Sequence, residues 1–190
     1  MNLTVPILKA TYDALGYPWH PVFNLGAVRA REQFTNAFDD IIFYVLTLSN
    51  GETEFAGFNG TTDPGFQKHG DQIPEGTATM LAGFYKGLFG QGFHKGRKNH
   101  PCFKQVRPAR YTRMKAGKQF DLSTMFTGNI GSNLHSTRED FTPTRVDNFS
   151  EACVVVQRWE SHLKLLDAAD RSMLKAFDFG LLNERQLVNV

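Results

Sequence analysis

The segment 38–48, FDDIIFYVLTL, constrains the fold of this chain more than any other. Its β-branched and aromatic residues form a continuous apolar run, the pattern of a buried strand. Ser49-Asn50-Gly51 follows, and Asn-Gly between two strand-like runs is a strong hairpin signal. The returning run, GETEFAGFNGTT, reads as shorter and broken by glycine, and Thr61-Thr62-Asp63-Pro64-Gly65 reads as a further turn. The chain is therefore expected to be mainly β.

The remaining segments flank this hairpin. Residues 3–15, LTVPILKATYDAL, roughly follow the helical period and run into Gly16, which suits a C-terminal cap. YPWHPVFNLG is too proline-rich to be regular, which makes His20 a loop residue. Residues 74–93 are glycine-rich but lack the GxxxxGK[ST] order of a phosphate loop, so bulges and close approach in a curved sheet are expected there. In residues 154–182, Trp159, Leu163, Leu166, Ala169, Met173, Leu174 and Phe177 fall on one helical face, opposite Glu160, Lys164, Asp167 and Arg171. That predicts an amphipathic C-terminal helix, with His162 as a packing or surface residue. The expected architecture is one domain over 1–190, mainly β with flanking helices (α+β). Residues 1–24 form an N-terminal helix and loop, and 155–190 a C-terminal helical buttress.

Charge is uneven along the chain. The net charge of +2 is too small to imply nucleic acid, and the expected partners do not include it. Yet no acidic residue lies between Glu75 and Asp121, while ten lysines and arginines fall from Lys86 to Lys118. Such a run is either a solvated face or a cleft wall that receives carboxylates or phosphates. The first twenty residues do not resemble a secretory signal, and no stretch approaches the ~20 apolar residues of a membrane span. Two cysteines, Cys102 and Cys153, do not resemble a disulfide scaffold, and whether they pair is left open.

The chemistry is concentrated in residues 128–153. Gly128 to Ser136 reads as a strand ending in His135; fourteen residues later Ser150-Glu151-Ala152-Cys153 leads into Val154-Val155-Val156. A thiol is only a few per cent thiolate near neutral pH, and a histidine beside it can take its proton. No GxSxG, HExxH or paired CxxC occurs. His94 and His100 lie six apart in a basic loop without acidic neighbours, so neither a metal nor another cofactor is expected.

The string His135, fourteen residues, Ser150-Glu151-Ala152-Cys153 resembles the signature of the L,D-transpeptidase (YkuD-type) catalytic domain: a histidine, some fourteen to seventeen residues, then Ser/Thr-His-Gly-Cys. NAFDDIIFYVL and TTDPG are similar to segments of phage-encoded relatives. The resemblance implies a β-sandwich-like domain with Cys153 as nucleophile and His135 as general base. The backbone carbonyl of Ser136 would orient that imidazole. It further implies action on peptidoglycan stem peptides through an acyl-enzyme passed to water or to an amine. Ser150 and Glu151 would border the substrate, and Lys95, Arg97 and Lys98 could hold its carboxylates. Without a secretion signal, a lysin-like hydrolase (L,D-carboxypeptidase or endopeptidase) fits best. It would reside in a host cytoplasm or virion and reach the wall by another route. Two positions depart from the pattern. Glu151 stands where the family has its second histidine, and a carboxylate there tends to raise the thiol pKa. Ala152 replaces the glycine before the nucleophile. A non-catalytic wall-binding or virion structural protein is therefore the rival expectation.

Overall fold

The computed structural model describes residues 2–30, 36–65, 77–114 and 123–188; residues 74–76, Lys118 and Asp121 of the sequence reading lie outside them. In chain order the described elements are α1 (Val5–Ala14), β1 (Phe23–Arg29), β2 (Asp40–Thr47), β3 (Thr53–Thr61), β4 (Thr77–Met80), β5 (Gly83–Phe93), β6 (Pro101–Gln105), β7 (Ala109–Met114), β8 (Phe126–Gly128), β9 (Leu134–Ser136), β10 (Val154–Val156), α2 (Trp159–Arg171) and β11 (Phe177–Asn183).

The expected hairpin is β2–β3, in unbroken register from Asp40 opposite Gly60 to Thr47 opposite Thr53. β3 is not the shorter arm. Its Gly57 and Gly60 lie against the Ile41 and Ile42 side chains, so they make room across the hairpin and do not interrupt it. From this pair the sheet continues in both directions until it meets itself. The strand order β1-β11-β5-β6-β9-β10-β3-β2 closes into an eight-strand barrel, with β4-β7-β8 as a separate three-strand sheet. A sandwich would leave two open sheets face to face; here closure removes the edges. Two parallel pairings, β1 with β11 and β9 with β10, set the order.

Closure depends on two strands that the sequence reading placed elsewhere. Phe23-Asn24-Leu25-Gly26 belongs to β1, not to an irregular loop, because Pro21 precedes the strand and leaves its N–H groups intact. The C-terminal segment is not one helical buttress. α2 ends at Arg171, and Met173 adopts φ +58°, which a helix cannot continue through. The period then changes from 3.6 to 2, and β11 inserts between β1 and β5 with both faces buried. The buried face of α2 is His162, Leu165, Ala168 and Ala169; Leu163 and Met173, expected inside, are exposed.

The core is as aromatic as the composition suggests. Phe89 meets Phe179 and Phe103 meets Phe177 edge to face at 5.1 and 5.2 Å, in one cluster with Leu25, Ile42, Leu134, Val154 and Leu165. α1 starts at an N-cap, Thr4, and packs Leu8 and Tyr12 on the other face of β1, β2 and β11, against Val28, Phe43, Val45 and Leu182. Gly180 admits this helix: a Cβ there would lie 2.0 Å from the Tyr12 hydroxyl. Among the described residues no helix is long and apolar enough to cross a membrane.

Candidate active site

β9 is only three residues long, and its neighbours decide where His135 points. Leu134 pairs with Phe103 on one side and Val154 on the other, and all three side chains join the central core. Their neighbours in the alternation, His135, Cys153 and Val155, turn to the opposite face, where Cys153 and Val155 pack with Phe38 and Val146. His135 therefore sits inside a short strand, not at the end of a longer one. Parallel pairing of His135 with Val155 brings it beside the segment that carries the thiol.

The approach to Cys153 is held by main-chain hydrogen bonds. The Gly65 N–H donates to the Ser150 carbonyl at 2.9 Å, and the Ser150 hydroxyl donates to the Cys153 carbonyl at 2.8 Å. The Ser132 hydroxyl donates to the Ala152 carbonyl at 2.5 Å. Asn36 brackets Asp147, its amide donating to the carboxylate and its oxygen accepting the backbone N–H, each at 2.8 Å. Gly65 lies so close that a Cβ there would be 1.9 Å from the Asp147 carbonyl oxygen. The TTDPG turn thus serves as the shelf on which the loop before the thiol rests.

The opposite wall comes from the β5–β6 hairpin. The His94 N–H donates to the His100 carbonyl at 2.9 Å, so these two histidines stand at the feet of its loop. Lys95 and Gly96 turn the loop at φ +48° and +73°. The His94 ring lies 4.0 Å from the His135 ring, and His100 lies 5.5 Å from both His135 and Trp159. Cys153 Sγ and one ring nitrogen from each of His94 and His135 all fall within 4.8 Å of one another. No hydrogen bond joins the thiol to either ring: the Cys153 thiol donates to the Gly131 carbonyl, and His135 Nε2 and His94 Nδ1 have no partner among the described residues.

Hydrogen bonding orients the His135 ring. His135 Nδ1 lies 2.6 Å from the Ser136 carbonyl oxygen, which fixes the proton on Nδ1 and leaves Nε2 as the acceptor. That Nε2 is buried and has no hydrogen-bond partner among the described residues. The thiol hydrogen is directed to the Gly131 carbonyl at 3.6 Å.

Electrostatics keep both groups neutral. Burial pushes the Cys153 thiol up to about 11; hydrogen bonding with the Asn133 backbone and the charge of Lys95 oppose the shift, and Glu151 adds to it. The expected influence of Glu151 is therefore present but subordinate to desolvation. Burial, then the neighbouring His94, holds His135 well below the usual histidine range. Burial also takes His94 down to about 4 and lowers His100.

A cleft of about 410 Å³ opens over this group, lined by His94, His100, His135 and Trp159 with Lys95, Arg97, Glu139 and Asp140. Lys95 and Arg97 thus lie where a substrate carboxylate could reach them. Lys98 is exposed and does not line the cleft. Ser150 is buried, and its hydroxyl donates to the Cys153 carbonyl. Glu151 is exposed beside the thiol. Sequence reasoning missed His94, His100 and Trp159; the only signal was the placement of two histidines at either side of a Gly-containing turn. Cys102 and Cys153 are both free thiols. No family model, no curated protein and no solved structure matches this chain.

Proposed function

We propose that this chain is a cysteine peptidase working through an acyl-enzyme on the stem peptides of peptidoglycan, with a hydrolytic L,D-carboxypeptidase or endopeptidase outcome. The observation that carries this reading is the Ser136 carbonyl bound to His135 Nδ1, which leaves Nε2 without a partner among the described residues, on a ring with a nitrogen within 4.8 Å of Cys153 Sγ.

The chemistry follows from a neutral pair. Cys153 Sγ attacks the stem carbonyl while His135 Nε2 takes the thiol proton, so charge develops only as the C–S bond forms. The imidazolium returns that proton to the leaving amine, which departs and leaves a thioester. Water, deprotonated by the same nitrogen, then releases the acid and restores the thiol. The Ser136 carbonyl stabilises the transient imidazolium through Nδ1–H. Lys95 and Arg97 on the cleft, with Glu139 and Asp140 among the same lining residues, suit a stem side chain that carries both a carboxylate and an amine.

One observation favours a second reading. A thiol pushed up to about 11, with Glu151 adding to the rise, suits a wall-binding or virion structural protein that keeps the site without efficient chemistry. Mass spectrometry of tetrapeptide-stem muropeptides incubated with wild type and with Cys153→Ala separates the two. Loss of a terminal residue or of a cross-link with wild type alone supports the peptidase. New cross-links would mean transfer to an amine in place of hydrolysis. Unchanged stems with both proteins end the catalytic reading.

A further inference from the structure

Three metal-ligating side chains converge from three separated segments of the chain, two of them, His94 and His135, lining the cleft and Cys153 buried beside them. His94 comes from the β5–β6 loop, His135 from β9, and Cys153 from the approach to β10. Their donor atoms lie within 4.8 Å of one another. In a tetrahedral zinc site the metal–nitrogen and metal–sulfur distances are about 2.0–2.1 and 2.3 Å, which puts donors roughly 3.3–3.6 Å apart. Side-chain shifts of about 1 Å would bring the set to that size.

A second observation points independently to a ligand. His135 Nε2, on a residue only 3% exposed, has no partner among the described residues, and neither has His94 Nδ1. Leaving a buried polar atom unsatisfied costs free energy, so two on one cleft wall favour the binding of something that pairs with them. The supporting hydrogen bond is also in place. His135 donates Nδ1–H to a backbone carbonyl, which fixes the tautomer that leaves Nε2 to a metal.

We propose that the cleft binds one borderline-soft divalent ion, with zinc as its representative, through His94, His135 and Cys153, and with the fourth position open to the cleft. Two imidazoles and a thiolate suit zinc or copper and not magnesium or calcium, which take oxygen donors. Both imidazoles bind as neutral ligands. The thiol releases one proton to solvent as the metal–sulfur bond forms, so the ion and its thiolate add a single positive charge. The His100 ring, whose Nε2 is likewise buried without a partner among the described residues, lies 5.4 Å from the His94 ring and 5.5 Å from the His135 ring. The proposal uses the same thiol as the peptidase reading but does not rest on it. A metal-bound thiolate is withdrawn from attack, so occupancy and acyl transfer are alternative states of Cys153.

The test is a titration of the chelator-treated full chain with Zn²⁺ against a chromogenic chelator, and with Co²⁺ followed by absorption. The expected result is one equivalent bound, with a sulfur-to-cobalt charge-transfer band and the intense visible bands of tetrahedral cobalt. Cys153→Ser should abolish that charge-transfer band. His94→Ala and His135→Ala should each weaken zinc binding by more than the roughly 10–100-fold that follows loss of an outer-shell partner. Cys102→Ser should keep both binding and band. Should Cys153→Ser fail to fold, wild type alkylated at Cys153 after folding replaces it, and must lose the site. No binding, an unchanged band in Cys153→Ser, or a band lost only in Cys102→Ser would overturn the assignment. Because metal binding is the readout and stem cleavage is assayed on the chelator-treated protein, zinc binding by a protein whose metal-free form leaves stems intact sinks the peptidase alone. Stem cleavage without zinc binding sinks the metal site alone.

Discussion

Alkylation of Cys153 should follow a thiol held up to about 11, with no neutral-pH plateau. The ordinary thiol value is 9.0, so the shift is two pKa units, a hundredfold loss of thiolate at any pH well below both values. That corresponds to about 2.7 kcal/mol of preference for the neutral form in the folded protein. At about pH 7 the thiolate fraction is then on the order of 10⁻⁴. The rate of iodoacetamide addition, read by peptide mass mapping to separate Cys153 from Cys102, should climb with unit slope from about pH 6 to about pH 10. The slope matters more than the absolute rate, because burial slows access equally at every pH while only ionisation sets the shape. His135→Ala should leave that shape unchanged, since a neutral imidazole contributes no charge to hold the thiolate. Lys95→Ala should shift the profile upward in pH, since Lys95 opposes the rise. A plateau below about pH 8 that disappears in His135→Ala would refute the reasoning. It would mean a preformed thiolate–imidazolium pair, as cysteine enzymes with strongly lowered thiol pKa values have.

Two further perturbations probe the frame around the site. Gly65→Ala places a methyl group 1.9 Å from the Asp147 carbonyl oxygen, with backbone on both sides. It should destabilise the fold by about 1–3 kcal/mol in urea and quicken Cys153 alkylation, because the loop must move off its shelf. Alkylation at the wild-type rate would mean that the shelf does not govern access. For pH, burial takes His162 down to about 4 from the ordinary 6.5. The unfolded chain therefore binds protons before the folded one does, and stability is lost as pH falls from 6.5 towards 4. Asp63, pushed up from 3.8 to about 7 mainly by burial, works in the opposite direction over all of that window, so the difference between wild type and variant is the quantity to read. His162→Gln, which can still donate to the Pro101 carbonyl, should remove up to about 3 kcal/mol of the acid-induced loss. Parallel denaturation curves for the two proteins at every pH would contradict the burial argument.

What was legible in the sequence divides by the range of the interaction that writes it. β2, the Asn50-Gly51 turn and β3 are one hairpin, and every residue that specifies the hairpin lies within it. Thr4 and Gly16 bracket α1 for the same reason. β11 was obscured because Phe177 happens to continue the helical spacing from Trp159, and nothing before Met173 announces that the period will change. Its true partners, β1 and β5, are remote in the sequence, and only barrel closure selects them. The site shows the same division. Short-range order ties Ser136 to His135 and Cys153 to Val154, so these positions are neighbours in the sequence as in the fold. His94 is forty-one residues from His135 along the chain, and its arrival depends on β6 pairing with both β5 and β9. That register is set by Phe103, Leu134 and Phe89, residues with no polar chemistry of their own. Spacing could therefore make His94 and His100 look like loop residues without metal or catalytic company, while the apolar core was assembling that company. The substitutions most informative about the chemistry are accordingly not confined to the cleft. Shortening Phe103 or Leu134 removes no ligand and no catalytic atom. It loosens the pairing that carries His94 to His135, so both metal affinity and Cys153 chemistry should decline with it.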